Sequence, residues 1–100
     1  MEFMVLIENT YPLDGDPDER GRLFEAEAAR VRDLASHGTL VKLWRRSGTR
    51  INVSVWRVSS VEQLHEEIAS LPCYPWLRPT VWPLSAHPND PSVLSEGIHA

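Results

Sequence analysis

No stretch of this chain approaches the roughly 18 consecutive apolar residues of a membrane-spanning helix. The opening MEFMVLIENTYP has no basic segment ahead of its apolar run, so neither a span nor a secretory leader is expected. Basic residues are scarce relative to acids, ten Lys and Arg against 14 Asp and Glu, for a net charge of -4. That sign argues against nucleic acid or an anionic membrane as the main partner, because both are held by clustered Lys and Arg. Cysteine occurs once, at Cys73, which excludes an internal disulfide and suits a reducing, cytoplasmic setting. His37, His65, His87 and His99 show no ligand spacing, and Cys73 has no partner cysteine, so no metal site is expected. A phosphate-cradling glycine loop, a serine nucleophile elbow, internal repeats and low-complexity blocks are likewise missing.

What is present is the ordinary composition of a globular protein, 42% hydrophobic and 24% charged over 100 residues, enough for one domain with one core. Residues 3–8, rich in Val, Ile and Leu and bounded by NTYP, suit a buried strand. Asp16 then supplies a helix N-cap with Pro17 at the first helical position, and the helix runs to SHG, where Gly38 takes the residue after the cap. Two strands, 39–46 and 50–58, alternate and carry β-branched and aromatic residues around a short SGT turn, the pattern of a hairpin. Ser60 caps a second helix with Gln63 at its third position; Val61, Leu64, His65 and Ile68 form its inner face before Pro72 ends it. Residues 80–84 form the last strand, at a sheet edge because of Pro79 and Pro83. The order β-α-β-β-α-β is that of an α+β ferredoxin-like sandwich, an antiparallel sheet with two helices on one face. Four tryptophans and the Val and Ile of the hairpin make a wet opposite face improbable, so dimerisation through the sheet is expected. The domain is expected to span residues 1–88. Residues 89–100 read as a tail, either a frayed end or an arm on a neighbouring subunit, with Val93, Leu94 and Ile98 among polar neighbours favouring the arm.

One acid is out of place. In LFEAEAARVRDLA, residues 23–35, the helical period puts Leu23, Glu27, Val31 and Leu34 in one apolar arc with Phe24 and Ala28 at its edge, whereas Glu25 and Asp33 point away. A carboxylate on a buried face is unfavourable unless it is used or paired. The alternation of RINVSVW aligns Arg50, Asn52 and Ser54 on one strand face, and that of LVKLWRR aligns Lys42 with Trp44 and Leu43 with Arg45. A pocket under the first helix would thus combine an acid with an amide, a hydroxyl and cations. Burial raises a carboxyl's pKa toward the range where it both accepts and returns a proton. Asn52 or Ser54 could donate to an enolate oxygen, and Arg45 or Lys42 could hold a substrate carboxylate. The competing reading pairs Glu27 with a strand arginine or curls its stem to the helix edge.

From Gly38 to Pro88 the chain carries Gly-Thr, Leu-Trp-Arg, Gly, Asn-x-Ser, Val-Glu-x-Leu-His, Leu-Pro and a closing His-Pro, in an order and spacing that resemble the muconolactone isomerases. The likeness extends upstream through DGDP and Glu27 and covers residues 1–88. It implies a cofactor-free intramolecular isomerase of the 3-oxoadipate pathway of aromatic catabolism, which moves a proton within an unsaturated lactone bearing an acetate. It also implies a ferredoxin-like fold assembled through dimers into a larger homo-oligomer. Glu27 matches the family's acidic helix position, and Arg45, Asn52 and Ser54 match its strand residues. The chain departs from the family's common pattern at Phe24, where a lysine is usual, at Lys42, where a histidine is usual, and at Arg50, where a tyrosine is usual. Phe24 makes one end of the pocket greasier, while Lys42 and Arg50 supply charge from the strands. The residues bet on are therefore Glu27 for catalysis and Phe24, Lys42, Arg45, Arg50, Asn52 and Ser54 for a small anionic substrate. The alternatives are an isomerase or cyclase for a bulkier enolisable metabolite, and a binding or assembly module of the same fold.

Overall fold

The alternation of the first strand organises the whole molecule. In the computed structural model, which describes residues 1–92, β1 (Glu2–Asn9) buries Phe3, Val5 and Ile7 and leaves Met4 and Leu6 half-buried on its other side. One face of the strand is therefore core, and the other is not. The chain continues through α1 (Pro17–Ser36), β2 (Leu40–Arg45), β3 (Ile51–Arg57), α2 (Val61–Ala69), a short 3-10 turn (Tyr74–Trp76) and β4 (Leu77–Leu84). The sheet order is β2-β3-β1-β4 with every pairing antiparallel. This is the expected ferredoxin-like arrangement, with β1 and β3 central.

Local chemistry sets the boundaries. The Asp16 carboxylate accepts from the Asp18 N–H at 3.0 Å, Pro17 opens α1, and Gly38 just beyond its end has φ +74°, a conformation that suits glycine. Ser60 accepts from the Gln63 N–H at 3.0 Å, and the Gln63 side chain reaches back to the Ser59 N–H at 2.6 Å, which closes the start of α2. Gly48, φ +75°, turns the hairpin. β4 starts at Leu77, earlier than the expected Thr80, and as an edge strand bonded only to β1 it tolerates Pro79 and Pro83.

The core joins Phe3, Val5 and Ile7 to Leu34 of α1, Leu40 and Trp56 of the hairpin, and Leu64, Ile68 and Leu71. Two members of the expected inner face of α2 are not in it: Val61 is 55% exposed and His65 is exposed, its ring edge-on to Tyr74 at 6.2 Å. They flank the Leu64–Ile68 row, which alone points at the sheet. The helix-free face carries Trp44 and Trp82, 53% and 41% exposed, beside Leu84 and the half-buried Val53 and Val55. Of the expected tail, Val93, Leu94 and Ile98 lie outside the described residues.

Candidate active site

A cavity of about 560 Å³ separates α1 from the β2–β3 hairpin. The strand register stacks its lining in levels: Leu40 is opposite Trp56, Leu43 opposite Ser54, and Arg45 opposite Asn52. Phe24, Glu27 and Val31 cover these levels from α1, while Leu71, Cys73 and Leu77 close the side toward α2 and β4. The deep end is apolar. The hairpin end is polar, with Arg45, Arg50, Thr49 and Asn52 around it.

An irregularity in β2 sets which side chains face inward. Leu40 pairs with Trp56 and Lys42 with Val55, so the register shifts at Val41. Directly opposed residues share a sheet face. Leu40 therefore lies on the helix side with Trp56, whereas Lys42 goes with Val55 to the helix-free side, and Leu43 and Arg45 return to the cavity. Lys42 is exposed and does not line the cavity, which corrects the expectation that it binds substrate there. A bulge that redirects side chains beside a cavity is a common use of that motif.

Glu27 is half-buried in the cavity wall, and its Oε1 accepts from the Cys73 N–H at 3.0 Å. Burial pushes its carboxyl above the ordinary carboxylate range, and the hydrogen bonds from the Cys73 N–H and thiol only partly offset this. Among the described residues no Lys or Arg forms an ion pair with it, so the reading in which a strand arginine neutralises Glu27 does not hold. Arg45 and Arg50 are likewise unpaired with any described acid, and both are exposed at the rim. By contrast, Arg30 on the outer flank of α1 is spent on Asp33 and Glu67.

The two strand hydroxyl and amide candidates differ. Ser54 is buried, donates its proton to the Val5 carbonyl at 3.0 Å and accepts from Trp56 Nε1 at 2.8 Å. Its hydroxyl has one proton, and that proton is committed, so Ser54 braces the cavity floor instead of donating to an enolate. Asn52 is half-buried and its side chain bonds to no described residue, leaving its amide donors open to the cavity. Phe24 stands edge-on to Tyr11 at 5.6 Å, and Tyr11 edge-on to Trp76 at 4.7 Å.

The sequence reading missed Asn9 and Cys73, both of which line the cavity. Asn9 Oδ1 accepts from the Tyr11 N–H at 2.9 Å and so fixes the chain leaving β1. Burial, reinforced by the negative charge of Glu27, raises the Cys73 thiol to about 11, so it stays protonated near neutrality and is not a ready nucleophile. Beside its thiol, Cys73 holds the acid through its backbone N–H, which no side-chain pattern encodes. Among the described residues no three His, Cys, Asp or Glu side chains converge as a metal site, and no helix is long and apolar enough to cross a membrane.

The family model for muconolactone delta-isomerase matches residues 1–90. The chain is 32% identical over 88 residues to a muconolactone delta-isomerase of Rhodococcus opacus, covering 88% of this chain and 95% of that one. It is 35% identical over 89 residues to the Pseudomonas putida enzyme, covering 89% and 93%. Its structure superposes on the crystal structure of a muconolactone isomerase with a TM-score of 0.84 at 35% identity, covering 91% and 95% of the two chains. A dehydrochlorinase from Burkholderia phenoliruptrix, at 13% identity and a TM-score of 0.59, shares the fold alone. A family model matched over residues 1–90, relatives at 32% and 35% identity over most of both chains, and the same fold at a TM-score of 0.84 place this protein in the muconolactone delta-isomerase family.

Proposed function

We propose that this protein is a cofactor-free isomerase that relocates a double bond in a small carboxylated unsaturated lactone such as muconolactone, in the 3-oxoadipate route, with Glu27 carrying the proton. Arg45 and Arg50 hold the acetate carboxylate at the hairpin end. The Glu27 carboxylate takes a proton from a ring or side-chain carbon: a C–H bond breaks, an O–H bond forms, and the electron pair spreads onto the lactone carbonyl as a dienolate. Asn52 donates a hydrogen bond to that oxygen as its charge develops. Glu27 then returns the proton to another carbon of the same system, so the substrate is neither oxidised nor reduced overall. A carboxyl with a raised pKa is suited to both halves of this cycle. The observation that carries the reading is a carboxylate inside an apolar cavity, aimed by one N–H and left unpaired by any described cation.

The test is Glu27→Gln, which keeps the acceptor for Cys73. Incubating each protein with muconolactone in deuterated water and following the double bond by ultraviolet absorbance and proton NMR should show isomerisation by the wild type. The variant should be slower by about 10²–10⁴-fold in kcat. A variant as fast as the wild type would overturn the role of Glu27. We further propose that a second copy covers the apolar helix-free face, because exposed tryptophans on a continuous sheet face mark an association surface. Light scattering should show an oligomer that Trp44→Asp dissociates at least in part; a monomeric wild type would exclude this.

A further inference from the structure

Apolar side chains line much of the cavity around its polar groups. Its roughly 560 Å³ falls in the range of about 300–1,000 Å³ typical of sites for drug-sized ligands. Polar groups gather at the hairpin end, whereas Phe24, Val31, Leu40 and Leu43 give both walls apolar surface. Leu43 is 48% exposed despite lining the cavity, so an apolar wall stands open beside the anion anchor. Phe24 lines the same cavity from α1, its ring propped edge-on by Tyr11, which in turn abuts Trp76. A ring held edge-on by a second ring is a preset surface for stacking or edge contact.

We infer that the cavity selects a carboxylated, enolisable lactone that carries an apolar ring substituent, and that Phe24 is the residue that reads this substituent. The inference rests on the proposed role of Glu27 and the arginine rim, and adds to it the shape of the substrate. The anion lies at Arg45 and Arg50, the acidic carbon lies under Glu27, and the apolar substituent lies between Phe24 and Leu43.

The experiment uses the full chain with Glu27→Gln, so that ligands are bound without being consumed. Muconolactone and the same lactone acid bearing a phenyl group on its ring are titrated by calorimetry into this protein and into its Phe24→Leu and Phe24→Lys derivatives. The phenyl acid should bind at least about tenfold more tightly than muconolactone, since a filled apolar subsite discriminates by at least that factor. Phe24→Lys should bring the ratio of the two affinities close to one, and Phe24→Leu should reduce it at least about threefold; the Leu derivative decides the matter if the Lys derivative does not fold. Equal binding of the two acids, or a ratio unchanged in the folded derivatives, overturns the inference. Turnover of muconolactone by the wild type combined with equal binding sinks the substituent alone and leaves the proposed function standing. If neither acid binds, the anion anchor fails and the inference falls with it.

Discussion

The two helices lie on the same face of one sheet and use it in opposite ways. The nine residues of α2 place Leu64 and Ile68 fully in the core, whereas the 20 residues of α1 bury only Leu34 to that degree. Around Phe24 and Glu27, α1 borders the cavity, and only at Val31, half-buried against the core, does it begin to close on the strands. One side of the molecule is therefore closed for stability, and the other is held open for a ligand. The cost of holding it open is visible in Glu27, whose charged form is disfavoured where it sits.

This contrast can be broken by paired truncations. Leu64→Ala should lower stability by about 2–5 kcal/mol, as a cavity cut in a closed core does. Val31→Ala, which trims a half-buried side chain where the core borders the cavity, should lower it by only about 1 kcal/mol. Urea unfolding of both variants checks this, and equal losses would mean that α1 is packed as tightly as α2. At the rim, Arg45→Ala should raise KM for muconolactone about tenfold to a hundredfold with little change in stability, because a charge-assisted contact to a substrate carboxylate is removed from an exposed site. Steady-state kinetics beside a melting curve separates the two effects, and a loss confined to stability would remove Arg45 from the site.

The smallest effect concerns pH. The folded pKa of Glu27 lies above its unfolded value, so ionising this group destabilises the fold at pH above the folded pKa, and that penalty is relieved as pH falls through it. Glu27→Gln carries no such penalty. It should therefore be more stable than the wild type at neutral pH, with the gap closing as pH drops toward the ordinary carboxylate range. Unfolding at a series of pH values measures this, and a gap independent of pH would show that Glu27 is solvated like any surface acid. In the same direction, the acid limb of kcat/KM should lie above the pH at which an exposed glutamate titrates.

Much of this was legible before the structure because it rests on periodicity. Residues 3–8 read as a strand from their Val, Ile and Leu, Asp16 and Ser60 stand where helix caps belong, and Glu27 was conspicuous as an acid at a position where the helix repeat calls for an apolar residue. Phe24 at the edge of the same helical arc, and the strand faces shared by Arg50 with Asn52 and by Arg45 with Leu43, were legible from the same repeats, whereas the departure at Phe24 was visible only through the family resemblance. What escaped depends on groups that carry no side-chain signal. The Cys73 N–H became the partner of Glu27 only when the segment after α2 crossed under α1. The Ser54 hydroxyl was claimed by a carbonyl 49 residues away in β1, and a side-chain alphabet records neither event.

By itself the sequence determined the order of elements, the shared strand face of Arg50, Asn52 and Ser54, and the presence of one acid among apolar neighbours, because these follow from local repeats and caps that do not need the rest of the chain. Only the tertiary structure decided that a cavity opens between α1 and the hairpin, and that Ser54 is bound while Asn52 finds no side-chain partner among the described residues. It also decided that the register shift at Val41 turns Lys42 to the far side of the sheet while Leu40, Leu43 and Arg45 all face the cavity. Those outcomes depend on which strand lies opposite which, and a long-range pairing is not encoded in any window short enough to show a period.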